Sequence, residues 1–243
     1  MNLVIDIGNT AAKIAVFDGE ELIEISYEPQ HSLDSLKEIS QRFPLRQGII
    51  ASVISLTDVM LQQLNGLNIR MIHLTAKTPI PINNLYKTPQ TLGVDRLAAV
   101  IAAHTSSPQL DALVIDAGTC ITYDYINKNG DYLGGNISPG VNMRLKALHA
   151  FTDKLPLISP EGEILEWGNT TETAIRAGVI HGIQQEMEGY IQLAKKRSTN
   201  LSVFLTGGDS VYFDTIKKNT IFADKYLVLK GLNRILSYND TLS

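Results

Sequence analysis

The stretch Leu3-Val4-Ile5-Asp6-Ile7-Gly8-Asn9-Thr10 returns, offset by 110 residues, as Leu113-Val114-Ile115-Asp116-Ala117-Gly118-Thr119. An internal repeat constrains a fold more than any local signal does, because each copy must build the same supersecondary unit. Each copy reads as a buried strand ending in Asp-x-Gly. Behind it come an alternating segment (Ala12 to Phe17; Ile121 to Ile126), a turn at Asp18-Gly19 or Asn129-Gly130, and another extended stretch (Leu22 to Tyr27; Tyr132 to Ile137). Both halves are therefore expected to open with three antiparallel strands. A single strand running into Asp-x-Gly is common to many unrelated α/β proteins; two copies with matching hairpins argue for duplication.

Behind the first triplet the hydrophobic period switches to helix at Leu33 to Phe43, strand at Gly48 to Val53, helix at Thr57 to Leu64 and strand at Ile69 to His73. Behind the second, helices are expected at Asn142 to Ala150 and Thr171 to Lys195, a strand at Leu201 to Leu205, and helices at Ser210 to Lys217 and Gly231 to Leu236. The order β-β-β-α-β-α, used twice, implies two similar α/β domains, 1–107 and 108–243, divided where Ser106-Ser107-Pro108 interrupts the pattern. Duplicated domains that face each other leave a cleft for a ligand.

Composition narrows the function. The 21 Lys and Arg against 25 Asp and Glu give a net charge of −4, which offers no broad cationic surface to nucleic acid or to an anionic membrane. The single cysteine, Cys120, can make neither an intrachain disulfide nor a Cys-rich metal site, a usage that fits a reducing cytoplasm. The N-terminus lacks the basic region of a signal peptide, and the longest apolar run, Leu97 to Ala103, falls short of the ~20 residues of a membrane span. A soluble cytoplasmic protein with no nucleic-acid or membrane partner is expected.

The glycine turns carry the chemistry. Asp6-Ile7-Gly8-Asn9-Thr10 can aim successive backbone N–H groups and a hydroxyl at one anion, with Gly8 leaving room for close approach. A strand-end aspartate repels bare phosphate, so Asp6 makes sense there if Mg²⁺ carried by a nucleotide lies between them, and Asp116 asks for a cation of its own. Lys13 supplies a point charge to the phosphates or is simply a solvated strand lysine. A third turn, Thr206-Gly207-Gly208-Asp209, leads from a strand into a helix and suits an adenosine moiety or a phosphate. Asp95 follows Gly93 at the head of an apolar helical pattern (Leu97, Val100, Ile101), where the helix N-terminus favours its ionised form; it either accepts a proton in phosphoryl transfer or merely complements the dipole. Arg96 offers a planar fork for a carboxylate or phosphate, or a surface salt bridge. The stretch Ala76 to Thr91, with Pro79, Pro81 and Pro89, reads as an irregular segment, either a pocket wall presenting Tyr86 or a plain surface loop. Cys120 reads as a small core residue, and His104 and His149 as helix C-terminal residues. Trp167 is open between packing and ligand stacking.

Asp6-Ile7-Gly8-Asn9-Thr10, Gly93-Val94-Asp95-Arg96, Asp116-Ala117-Gly118-Thr119, Gly134-Gly135-Asn136-Ile137-Ser138-Pro139-Gly140 and Thr206-Gly207-Gly208-Asp209, in this order, resemble the actin, sugar-kinase and heat-shock ATPase superfamily and, within it, the type III pantothenate kinases. The resemblance runs over nearly the whole chain. It implies two ribonuclease H-like domains in the actin-like ATPase fold, with a nucleotide cleft between them. It also implies ATP-dependent phosphorylation of the primary hydroxyl of pantothenate, the first step towards coenzyme A, with Mg²⁺ and a monovalent cation, K⁺ or NH₄⁺. By the same resemblance Asp6, Ile7, Gly8, Asn9, Thr10, Ala11, Ala12 and Lys13 form the first phosphate loop, Thr119 belongs to the second, and Asp116 is the monovalent-cation ligand. Asp95 matches the general base, and Tyr86, Gly93, Val94, Asp95 and Arg96 match substrate-binding positions. Family members carry an Asn-Thr pair ahead of a helical glycine; counting back from Gly178 selects Thr171 as the substrate-contacting hydroxyl, although the displaced asparagine leaves Thr170 open. The resemblance further implies a homodimer. Two other classes remain: a kinase for another acceptor such as a sugar, and a nucleotide-dependent regulator or scaffold that transfers nothing.

Overall fold

Both Asp-x-Gly motifs close buried strands in the computed structural model, which describes residues 1–29, 32–216 and 221–242. In chain order the elements are β1 (Asn2–Ile7), β2 (Ala11–Asp18), β3 (Glu21–Pro29), α1 (Leu36–Arg42), β4 (Gln47–Ser52), α2 (Asp58–Asn65), β5 (Arg70–His73), β6 (Asn83–Asn84) and α3 (Val94–Ser106). Then follow β7 (Asp111–Ala117), β8 (Cys120–Ile126), β9 (Asp131–Pro139), α4 (Val141–Ala150), α5 (Thr171–Arg197), β10 (Leu201–Thr206), β11 (Ile221–Ala223) and α6 (Leu227–Asp240), with short 3-10 segments at Pro89–Thr91 and Gly208–Ile216. No helix among the described residues is long and apolar enough to cross a membrane.

The chain forms two compact units, the first from Met1–Pro108, Asn129–Leu133 and Tyr226–Ser243, the second from Gln109–Lys128 and Gly134–Lys225. In the first, the strands lie in the order β3-β2-β1-β4-β5, with β1 antiparallel to β2 and parallel to β4. Side chains alternate along a strand, so Leu3, Ile5 and Ile7 share one face of β1. They are buried with Leu36 and Ile39 of α1 and Met60 and Leu64 of α2. The alternate residues, Asn2 and Asp6 among them, point to the other face, where Asn2 Nδ2 donates to Asn233 Oδ1 of α6 at 2.9 Å. In the second unit the order β11-β10-β7-β8-β9 repeats the plan, β7 being antiparallel to β8 and parallel to β10. Leu113, Ile115 and Ala117 of β7 pack with Ile180, Ile183 and Met187 of α5. Tyr123 of β8 donates to Glu186 of α5 at 2.7 Å, and Arg144 of α4 donates to the same carboxylate and to Ser138 of β9, both at 2.7 Å. Burial alone would raise the Glu186 carboxyl, but these donors outweigh it and hold the group below its usual value.

The C-terminal helix departs from the expected boundary. The sequence pattern predicts one domain over 108–243, whereas α6 packs in the first unit, crossing α3 where a Cβ on Gly231 would lie 1.8 Å from the Ala98 carbonyl oxygen. The alanines of α3 and the glycine of α6 let the two backbones meet. That same glycine makes the helix look shorter in sequence, beginning at Gly231, because glycine inside a helix costs about 1 kcal/mol and mimics a boundary. The helix expected at Ser210 to Lys217 is instead a 3-10 segment broken at Phe213 (φ −118°, ψ 23°), and Lys217 lies outside the described residues. Within the irregular stretch Ala76 to Thr91, Asn83 and Asn84 pair with Asp131 and Tyr132. In the second half α4 and α5 follow the strand triplet in succession, without an intervening strand.

Candidate active site

Within the first unit, three sequence-selected segments converge. Gly8 N–H donates to Ala11 O at 3.1 Å and closes the tight turn after β1, leaving Asn9 and Thr10 exposed at its tip and Ile7 and Ala12 buried on the flanking strands. Asp6 and Lys13 face each other in the β1–β2 register, and Lys13 Nζ lies 3.6 Å from Asp6 Oδ2. Lys13 is therefore a paired cation at the base of the turn and not a free strand lysine. Asp6 is only 7% exposed. Burial raises its carboxyl, Lys13 opposes the rise and the neighbouring Asp95 charge adds to it. Two carboxylates thus share one electrostatic neighbourhood with a single ammonium group as partner to the buried one.

Asp95 stands in the first turn of α3 behind the N-cap Gly93. Its Oδ1 accepts the Arg96 N–H at 2.8 Å, and a Cβ on Gly93 would sit 2.4 Å from that oxygen, so the glycine keeps the carboxylate's place open. Arg96 is buried, with its guanidinium carbon 5.7 Å from the centroid of the Tyr86 ring. A cavity of about 290 Å³ abuts this turn, lined by Val94 and Leu97 of α3 together with Thr78, Ile82, Asn84 and Leu92.

In the second unit Asp116 lies one residue before the end of β7, and Gly118 N–H donates to Cys120 O at 3.0 Å to close the second turn. This turn is clasped by two glycines. A Cβ on Gly140 would fall 2.2 Å from Gly118 O, and one on Gly207, whose φ is +93°, would fall 2.2 Å from Ala117 O and 2.5 Å from Asp116 Oδ1. Both glycines were legible in the Pro139-Gly140 and Gly207-Gly208 pairs, but not as supports of the Asp116 turn. Thr119 is exposed at the tip, and its carbonyl accepts the Gly140 N–H at 3.1 Å. Asp209, the last residue of the Gly207-Gly208 turn, is raised by burial and partly compensated by the Val141 N–H at the head of α4.

Thr170 and Thr171 separate cleanly. Thr170 is the N-cap of α5, its Oγ1 accepting the Thr173 N–H at 3.2 Å, while Thr171 is the first helical residue and is exposed. Thr171 lines an apolar groove of about 850 Å³ with Leu148, Phe151, Leu155, Ile175 and Gly178, and Phe151 is 88% exposed. Cys120 is half-buried, with Sγ 3.8 Å from Met143 Sδ, and Trp167 is 84% exposed. His104 and His149 occupy the last turns of α3 and α4 as expected.

The family model for type III pantothenate kinases matches residues 2–193. A type III pantothenate kinase from Phocaeicola vulgatus is 60% identical over 242 residues, covering 100% of both chains. The chain belongs to the type III pantothenate kinase family. In fold, it is similar to a Baf-family protein from Campylobacter jejuni (TM-score 0.63, 22% identity, covering 98% of this chain and 99% of that one). It is also similar to the activator of 2-hydroxyisocaproyl-CoA dehydratase from Clostridium difficile, solved with bound ADPNP (TM-score 0.54, 12% identity, covering 99% and 96%). Two mixed sheets built on the same strand plan, with these neighbours, make the family member an actin-like ATPase fold of two ribonuclease H-like units.

Proposed function

We propose that this protein transfers the γ-phosphoryl group of ATP to the primary hydroxyl of pantothenate, the first step of coenzyme A biosynthesis. The observation that carries the reading is the grouping of Asp95 with Asp6 and Lys13 in the first unit of a chain from this kinase family. As the hydroxyl oxygen bonds to phosphorus, the bridging P–O bond to ADP breaks and the hydroxyl proton passes to the Asp95 carboxylate. In the first unit the N–H groups of the turn from Ile7 to Ala11 hold the phosphates, with Lys13 as their point charge. In the second unit the Asp116–Thr119 turn, held by Gly140 and Gly207, is the second phosphate turn, and the Gly207-Gly208 turn takes the adenosine.

The metal needs fit the donors. Among the described residues no three His, Cys, Asp or Glu side chains cluster to hold an ion, and Mg²⁺ arriving with a nucleotide needs only one or two carboxylates besides phosphate oxygens. Asp6, raised by burial and by the Asp95 charge and opposed by Lys13, is a carboxylate that such a cation would stabilise. Mg²⁺ supplies charge neutralisation on the phosphates. Asp116 Oδ1 and the Ala117 carbonyl oxygen both lie beside Gly207, and oxygen donors of this kind suit K⁺ or NH₄⁺. Arg96 binds the carboxylate of pantothenate with Tyr86 against its face, and Thr171 adds a hydroxyl contact. The groove beside Thr171, with the exposed Phe151, suits a second copy of the chain, and we read the protein as a cytoplasmic homodimer.

ADP release with Mg²⁺-ATP and a panel of acceptors tests this reading. Turnover with pantothenate but not with sugars, faster in K⁺ or NH₄⁺ than in Na⁺, is the expected result; ATP binding with no acceptor-dependent turnover contradicts it. The threonine assignment makes its own forecast. Thr171→Ala should raise KM for pantothenate about tenfold, the loss of one hydrogen bond, with the melting temperature unchanged. Thr170→Ala should instead lower stability by about 1 kcal/mol through loss of the cap, with KM unchanged.

A further inference from the structure

Tyr132 has no part in the sites described above, yet it is fully buried directly under one of them. Its ring stacks on Tyr86 with centroids 6.2 Å apart and planes 18° from parallel, and the other flat group near Tyr86 is the Arg96 guanidinium, 5.7 Å from the Tyr86 centroid. The backbone reinforces the same contact. Asn83 and Asn84 pair with Asp131 and Tyr132, Leu85 N–H donates to Tyr132 O at 3.0 Å, and Asn83 N–H donates to Gly130 O at 2.8 Å. Asn84 Oδ1 then accepts the Tyr86 N–H at 3.0 Å. A β-bridge in an otherwise irregular stretch has no length with which to contribute stability by itself. What it does is fix the residue that follows it.

We propose that Tyr132 is a positioning residue for acceptor recognition: through Tyr86 it fixes the Arg96 guanidinium that takes the acceptor's carboxylate. The inference rests on the assignment of Arg96 and Tyr86 to the acceptor. An arginine fork recognises a carboxylate only when its plane is held, and guanidinium planes are held by flat aromatic faces. Tyr86 is half-exposed and lies in an irregular segment, so its own ring needs a fixed surface behind it. Tyr132, anchored in β9, provides that surface. The consequence is specific: loss of the Tyr132 ring should loosen Arg96 and cost carboxylate affinity while sparing the phosphate turns and Asp95.

The test is steady-state kinetics of Tyr132→Phe, Tyr132→Leu and Asn84→Ala, each also in a Tyr86→Ala background, with pantothenate and with an analogue whose carboxylate is replaced by a neutral alcohol. Tyr132→Leu should raise KM for pantothenate roughly tenfold with kcat and KM for ATP retained, and should narrow the preference for the carboxylate over the neutral analogue. Tyr132→Phe keeps the stacking face and should keep the wild-type KM. Neither Tyr132→Leu nor Asn84→Ala should raise KM further once Tyr86 is alanine. If Tyr132→Leu does not fold, Asn84→Ala, which leaves the core intact, carries the same expectation. A Tyr132→Leu protein that loses kcat or stability with KM for pantothenate unchanged, or an effect that persists in full without Tyr86, overturns the inference while leaving the kinase reading intact. A wild-type protein that shows no turnover with pantothenate overturns both.

Discussion

Asp95→Asn should lower kcat by about a hundredfold to ten-thousandfold, the range for removal of a general base, while ATP still binds. The substitution is a clean probe because the asparagine Oδ1 can accept the Arg96 N–H that the Asp95 oxygen accepts now, at 2.8 Å, so the first turn of α3 has no reason to rearrange. What it cannot do is take up the acceptor's proton. The neighbouring Asp6 is a poor substitute, since it is buried and already paired with Lys13. Nucleotide binding measured by calorimetry should match wild type, and single-turnover ADP formation should show the loss. Wild-type kcat in the Asp95→Asn protein would mean that the proton leaves by another route.

Gly231→Ala should be the most destabilising small substitution in the first unit. A methyl group there would lie 1.8 Å from Ala98 O and 2.5 Å from Ala98 C, and these are backbone atoms that no rotamer change can move aside. Overpacking at such a site costs about 3 kcal/mol, which for a chain of this size lowers the melting temperature by about 6–12 °C. The effect reaches function as well as stability, because α3, the helix that α6 presses upon, carries Asp95 and Arg96 at its head. Thermal unfolding followed by circular dichroism should show the shift. An unchanged melting temperature would mean that α3 and α6 can separate freely, contrary to their close packing.

The strand triplets were legible because they combine a repeat with period-two alternation and turn residues, and all three signals are local. The tight turn after β1 was legible for the same reason, since Asp6, Gly8 and Lys13 are joined by one hairpin. The position of α6 was not, because its packing depends on contact between Gly231 and Ala98, far apart in sequence, and a glycine in a helix looks like a stop until its partner is known. Likewise Gly140 and Gly207 are ordinary turn glycines in sequence and become supports of the Asp116 turn only when the fold brings them to it. The stack of Tyr132 on Tyr86 hangs on a pairing of Asn83 and Asn84 too short to give a periodic signal. Counting back from Gly178 selects Thr171 and the displaced asparagine leaves Thr170 open; in the structure the two differ in that the Thr170 hydroxyl caps α5.

This chain is expected to place a phosphoryl group on pantothenate, and the most direct measurement follows the group itself. Purified protein is incubated with γ-labelled ATP, Mg²⁺, K⁺ and pantothenate, beside the Asp95→Asn protein, and the products are separated and weighed by mass spectrometry. Label recovered in a monophosphate ester of pantothenate, formed by the wild type and nearly absent with Asp95→Asn, is the predicted result. Label that remains in ATP or appears only as inorganic phosphate, with nucleotide demonstrably bound, would contradict it.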